Sequence, residues 1–225
     1  MRVDVLTLFP EMLSGFLEQS MMKRAVSKQA VSFNIINPRD FSTDVHHTTD
    51  DRAYGGGPGM VMKPEPLFAA IESVKKPDSR VIYLSPQGQP FRQSTAGRLK
   101  AESHLIFICG HYEGIDERII EALVDEEISI GDYVLTNGAL AAAVVIDAVV
   151  RLLPGVLGGG EAATEAESFT QGMFDHPHYT RPEVFRGMKV PDVLLSGNHA
   201  AIDAWRREKA VEKTKKVRPD LMDGA

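Results

Sequence analysis

The sequence predicts an α/β fold with a mostly parallel sheet and helices on both faces. Apolar runs of strand length alternate with helical patterns through the first two thirds of the chain, the signature of βα units. Three glycine-containing turns each follow a run that reads as a buried strand: Leu84-Ser85-Pro86-Gln87-Gly88, Cys109 to Arg118, and Ile130 to Gly138. The alternation then stops at Pro154.

Residues 3–9 form the first expected strand, and Pro10 stands where a helix can begin, leading into Met12, Phe16 and Leu17. Residues 31–36 read as a second strand. Residues 64–74 read as a helix, with Leu67, Phe68, Ile71 and Val74 on one face. Residues 81–84 are a strand and 91–99 a helix. Residues 105–109 are a strand and 115–124 a helix, with Asp116 and Glu117 in its favourable first turn. Val134 and Leu135 read as a short strand, and 138–153 as a long apolar helix.

Beyond Pro154, residues 155–170 are rich in Gly, Ala and Glu and lose all periodicity, which reads as a linker. Residues 198–217 read as a helix with a basic second half. The expected domains are 1–157, an α/β unit, and 173–225, a small mainly helical unit, joined by a flexible 158–172.

The 225 residues carry 43% apolar and 25% charged side chains, as soluble globular chains do. Met1-Arg2-Val3-Asp4 places an acid where a secretory signal needs an apolar run. Asp147 and Arg151 interrupt the most apolar stretch, so no membrane span is expected. The single cysteine, Cys109, cannot form an internal disulfide, which fits a reducing, cytoplasmic location. A net charge of −6 argues against nonspecific coating of nucleic acid. Yet seven basic residues (Arg206, Arg207, Lys209, Lys213, Lys215, Lys216, Arg218) stand against two acids, Glu208 and Glu212, between Trp205 and Arg218. That asymmetry suits either a solvated helix face or a phosphate backbone.

Three turns at neighbouring strand ends describe a pocket walled by backbone. Such a wall suits a flat, polar, neutral-to-cationic ligand such as an adenosyl group. The loop Tyr54-Gly55-Gly56-Gly57-Pro58-Gly59 lacks the Lys-Ser/Thr of a P-loop, and no G-x-G-x-x-G opens the first helix. It reads as a surface loop needing positive φ, or as an RNA contact. Cys109 lacks the context of a nucleophile and reads as a small buried hydrophobe. His46 with His47, and His176 with His178, lack metal-site spacing, so no metal is expected. Arg151 closes the long helix, where it either offsets the helix dipole or reaches the pocket. Glu161, Glu165 and Glu167 follow in the linker. A loop carboxylate that orders when substrate arrives is a sound place for a general base.

Together these segments resemble the bacterial tRNA (guanine-N1)-methyltransferases, which modify the guanine just 3′ of the anticodon. The likeness runs through Leu8-Phe9-Pro10-Glu11-Met12, Pro38-Arg39-Asp40-Phe41, the loop from Tyr54 to Met60, and Tyr83 to Gly88. It continues through Cys109 to Arg118, Ile130 to Thr136, and Leu153-Pro154-Gly155-Val156-Leu157-Gly158. Pro177-His178-Tyr179-Thr180-Arg181-Pro182 and Leu194-Leu195-Ser196-Gly197-Asn198-His199 complete it.

The resemblance implies a SPOUT fold with a deep trefoil knot, a homodimer with sites shared between subunits, and tRNA bound through the C-terminal unit. It implies S-adenosylmethionine held by Tyr83, Leu84, Ser85 and Pro86; by Gly110, Tyr112, Glu113 and Gly114; and by Ile130, Gly131, Tyr133, Leu135, Asn137 and Gly138. It places the chemistry on Arg151 and on the acid before Ser168-Phe169. That acid is Glu167 here, where the family usually has Asp. The chain also reads Asn137-Gly138-Ala139 for the family's Gly-Gly-Glu, and Ala141 for its Pro. Asn tolerates left-handed geometry, so the turn at Asn137 is expected to survive. Magnesium is linked to the family's turnover, and no ligand cluster in the sequence places it. A knotted methyltransferase acting on another RNA, or a noncatalytic RNA-binding relative, are the competing readings.

Overall fold

The computed structural model describes residues 1–158, 167–170 and 172–222. The expected linker residues Glu161 and Glu165 lie outside them. The chain divides into two compact units, Met1–Gly158 and Gly159–Ala225.

In chain order the first unit contains β1 (Arg2–Leu6), α1 (Glu11–Leu17), α2 (Ser20–Ser27), β2 (Ser32–Ile36), β3 (Asp50–Asp51), β4 (Val61–Met62) and α3 (Pro64–Glu72). It continues with β5 (Ser79–Pro90), α4 (Gln93–Leu99), β6 (His104–Cys109), α5 (Glu117–Leu123), β7 (Glu126–Ser129) and α6 (Ala139–Val150). Five strands pair in the order β2-β1-β6-β5-β7, and every pair is parallel.

Parallel sheets need cover on both faces, and alternating side chains supply it. In β6 every residue is buried. Leu105, Phe107 and Cys109 enter one core with Leu13, Val145, Ile146 and Val149. Ile106 and Ile108 enter the other with Leu67, Ile71 and Ile119. Helices α1 and α6 thus cover one face, and α3 and α5 the other.

One expected element is corrected. Val134 and Leu135 are not a strand: they lie in a loop, Val134 84% exposed. The fifth strand is β7, whose Glu-Glu-Ile-Ser sequence hides it from an apolar search. Its acid Glu126 receives Arg98 at 2.5 Å, and charge on an edge strand discourages further pairing. Helix α2 was also not expected.

In the second unit a two-stranded hairpin, β8 (Val184–Phe185) and β9 (Met188–Lys189), precedes α7 (Asp192–Leu195) and α8 (His199–Val217). Asn198 caps α8 by accepting from Ala201 N at 3.2 Å. Among the described residues no helix is long and apolar enough to cross a membrane.

Candidate active site

The carboxyl ends of β5, β6 and β7 open into one cavity of about 340 Å³. Each wall has a local cause. β5 pairs with β7 up to Leu84–Ile128, leaves the ladder, and returns with Gln89 opposite the same Ile128. The excursion, Ser85 to Gly88, is the first wall. Gly88 permits the return, because a Cβ there would fall 2.5 Å from Ile128 N. Ser85 Oγ accepts from Gln87 N at 3.2 Å and holds the bend.

The second wall is the turn after β6. It is braced from outside by the glycine-rich loop: Glu113 N donates to Met60 O at 3.0 Å and Met62 N to Gly114 O at 2.9 Å. The third wall runs from Ile130 to Gly138 and leads into α6. His111 and Asn137 form an antiparallel bridge, and Gly138 N donates to Gly110 O at 2.9 Å. A Cβ on Gly138 would lie 2.8 Å from Cys109 Cα, so the two walls touch through backbone alone. Asn137 is not left-handed. Instead its side-chain oxygen accepts from Ala139 N at 2.9 Å and starts α6.

All four residues of the first turn expected to hold a ligand line this cavity: Tyr83, Leu84, Ser85 and Pro86. So do Gly110, Tyr112, Glu113 and Gly114, and Ile130, Gly131, Tyr133, Leu135, Asn137 and Gly138. Burial, helped by the charge of Glu127, pushes the Tyr83 phenol up to about 12, so it stays protonated. Burial likewise pushes the Cys109 thiol up to about 12, which keeps it a neutral packing group beneath the floor. Glu113 and Glu117 are among the lining residues, and among the described residues no Lys or Arg is. A cationic ligand therefore suits it better than an anionic one.

His111 also lines the cavity and was not singled out from the sequence. Its ring lies 5.0 Å from that of Phe9 and 4.4 Å from that of Tyr112. Its Nδ1 is buried without a hydrogen-bond partner among the described residues. A histidine between Gly110 and Tyr112 at a strand end was the available signal.

The two residues expected to do chemistry belong to different units. Arg151 does not line the cavity; it follows α6 as its C-cap, while Gly138 and Ala141 at the other end of that helix do line it. Twelve helical residues separate the ends by about 18 Å. Glu167 belongs to the second unit, where it lines a hollow of about 400 Å³ with Asp175, His176, Arg206 and Arg207.

A parallel sheet whose carboxyl-end turns enclose a cavity defines an α/β protein with a ligand-sized site at its strand ends. The family described as tRNA (Guanine-1)-methyltransferase TrmD matches residues 1–224. The chain belongs to that family, and with it to the SPOUT methyltransferases. Similar relatives named tRNA (guanine-N(1)-)-methyltransferase come from Brevibacillus brevis (58% identical) and Anoxybacillus flavithermus (57% identical). Each alignment spans 226 residues, 99% of this chain and 92% of the relative. A relative of the same name from Carboxydothermus hydrogenoformans is 56% identical over 99% of this chain and 87% of its own.

Proposed function

We propose that this protein transfers the methyl group of S-adenosylmethionine to N1 of the guanine just 3′ of a tRNA anticodon. The observation that carries the reading is the Gly110–Gly138 contact. It brings two turns together with no side chain between them and leaves a cavity that a flat, cationic adenosyl ligand suits. Family membership supplies the reaction class.

S-adenosylmethionine supplies a methyl group already activated by its sulfonium, so no protein nucleophile is needed. The protein's residues act on the guanine. Its N1 bears a proton and attacks poorly until that proton leaves. Glu167 is the proposed base, a contribution on the order of 10²–10⁴ in rate. Removing the proton sends negative charge to the guanine carbonyl oxygen, where the Arg151 guanidinium stabilises it as it develops.

The position of Arg151 supports a site shared between two copies. At the far end of α6 from its own cavity, it is better placed to serve a second copy's. Helix α6 also exposes Leu140 (51%) and Val144 (49%), and neighbouring α1 exposes Met12 (40%). A homodimer would cover them. The family's trefoil knot, the tRNA-binding role of α8, and a cytoplasmic location in which Cys109 stays reduced belong to the same reading.

The test is methylation of unmodified tRNA, digestion to nucleosides and mass spectrometry. The expected product is 1-methylguanosine. A 2′-O-methyl nucleoside would assign the chain to another reaction. Absence of S-adenosylmethionine binding by calorimetry would leave only an RNA-binding protein.

A further inference from the structure

We infer that Asp175, His176 and His178 form a binding site for a divalent cation of the zinc class. Nothing in the proposed methyl transfer requires it, and sequence spacing gave no expectation of it. Their donor atoms lie within 4.8 Å of one another, the one such cluster among the described residues.

The geometry fits a compact ion. Bonds of about 2.0–2.1 Å in a tetrahedron place donors about 3.3 Å apart. Here His178 Nε2 hydrogen-bonds Asp175 Oδ2 at 2.9 Å, and His176 Nε2 lies 3.7 Å from Asp175 Oδ1, so an ion would take the place of the proton between the first pair and release it to solvent. Small side-chain rotations admit the ion between them. Pro177 fixes φ between the two histidines and limits what must be ordered on binding.

A second observation points to ligation. His176 Nδ1 lies 3.2 Å from the carbonyl oxygen of Pro177. That contact leaves Nε2 as the ring nitrogen turned toward Asp175. Backbone carbonyls orient metal-binding histidines in this way. Asp175 and His176 line the hollow that Glu167 also lines, which gives an ion an approach.

Two imidazoles and one carboxylate select a borderline ion over magnesium, which requires oxygen donors. Asp175 N also donates to Ser168 Oγ at 3.0 Å, so an occupied site would restrain the segment beginning at Glu167. That last consequence rests on the proposed role of Glu167; the site itself does not.

The test is Zn²⁺ titration of the full, tag-free chain by calorimetry, with Co²⁺ substitution followed by visible absorption. The wild type should bind a single Zn²⁺ per chain, show the intense bands of four-coordinate Co²⁺, and keep its Zn²⁺ in excess Mg²⁺. His178→Ala should weaken binding at least about tenfold. This variant leaves the fold intact, since the His178 side chain is 70% exposed. His46→Ala with His47→Ala should change nothing. Undiminished binding in both His178→Ala and His176→Ala, octahedral Co²⁺ spectra, or displacement by Mg²⁺ would each overturn the assignment.

Discussion

The amide of Gly138 donates to the carbonyl of Gly110 across 2.9 Å, and there is no room between them for a side chain. The turn after β6 and the start of α6 are thereby one wall. Gly138→Ala must push Cys109 Cα and Gly110 N, both backbone atoms, out of place. The expected loss is about 1–3 kcal/mol of stability. S-adenosylmethionine affinity, read by calorimetry, should fall with it. Full affinity at unchanged melting temperature would show that the contact does not shape the cavity.

At the opposite end of the sheet, Asp4 is fully buried and accepts from Arg2, Asn34 and His104, the last at 2.5 Å. His104 also meets Ser79 Oγ at 2.7 Å. The cluster joins β1, β2, β6 and β5. Asp4→Ala leaves buried polar partners stranded and should cost about 3–5 kcal/mol in urea denaturation. A loss under about 1 kcal/mol would mean that water replaces the carboxylate.

Cys109 makes stability fall at alkaline pH. Its thiol titrates near 9.0 when unfolded and at about 12 when folded. Between those values the unfolded chain has released a proton that the folded chain still holds, so rising pH favours unfolding. Its stabilising contribution is complete below about 9 and is lost through that window. Cys109→Ala should flatten the alkaline slope of urea midpoints. Equal slopes would show that the thiol is not held protonated.

Arg151 and Glu167 are predicted to act from different subunits. Arg151→Ala and Glu167→Gln should each lower single-turnover rates on the order of 10²-fold or more. Mixed heterodimers should regain activity at the site that keeps both native residues. No recovery in verified heterodimers would place both groups in one chain's site.

Helix α8 can be tested through salt. Lys209 pairs with Glu212 at 2.6 Å and Arg206 with Asp203 at 3.4 Å, whereas Lys215 and Lys216 make no ion pair among the described residues. If these two meet phosphates, Lys215→Glu with Lys216→Glu should weaken tRNA binding and reduce the log–log salt slope by about 2. An unchanged slope would assign the helix to another contact.

Legibility differed by element for physical reasons. β6 was plain because a strand buried on both faces must be apolar throughout. β7 was not, because an edge strand carries Glu126 for its arginine partners. The glycine turns were legible as a set, since few other residues let backbone approach backbone. The return of β5 against Ile128 was not, because it depends on where β7 lies. The Asp175–His176–His178 cluster escaped a spacing search because its geometry comes from a local bend.

By itself the sequence determined the parallel α/β architecture, the family and the turns that wall the cavity. Periodicity, burial and the requirement for glycine at close contacts are properties of residue type. Only the tertiary structure decided which turns meet, that Asn137 starts α6 rather than bending left-handed, and that Arg151 stands a helix length from its own cavity. Those depend on strand order and helix length, which bring together residues that no local pattern relates.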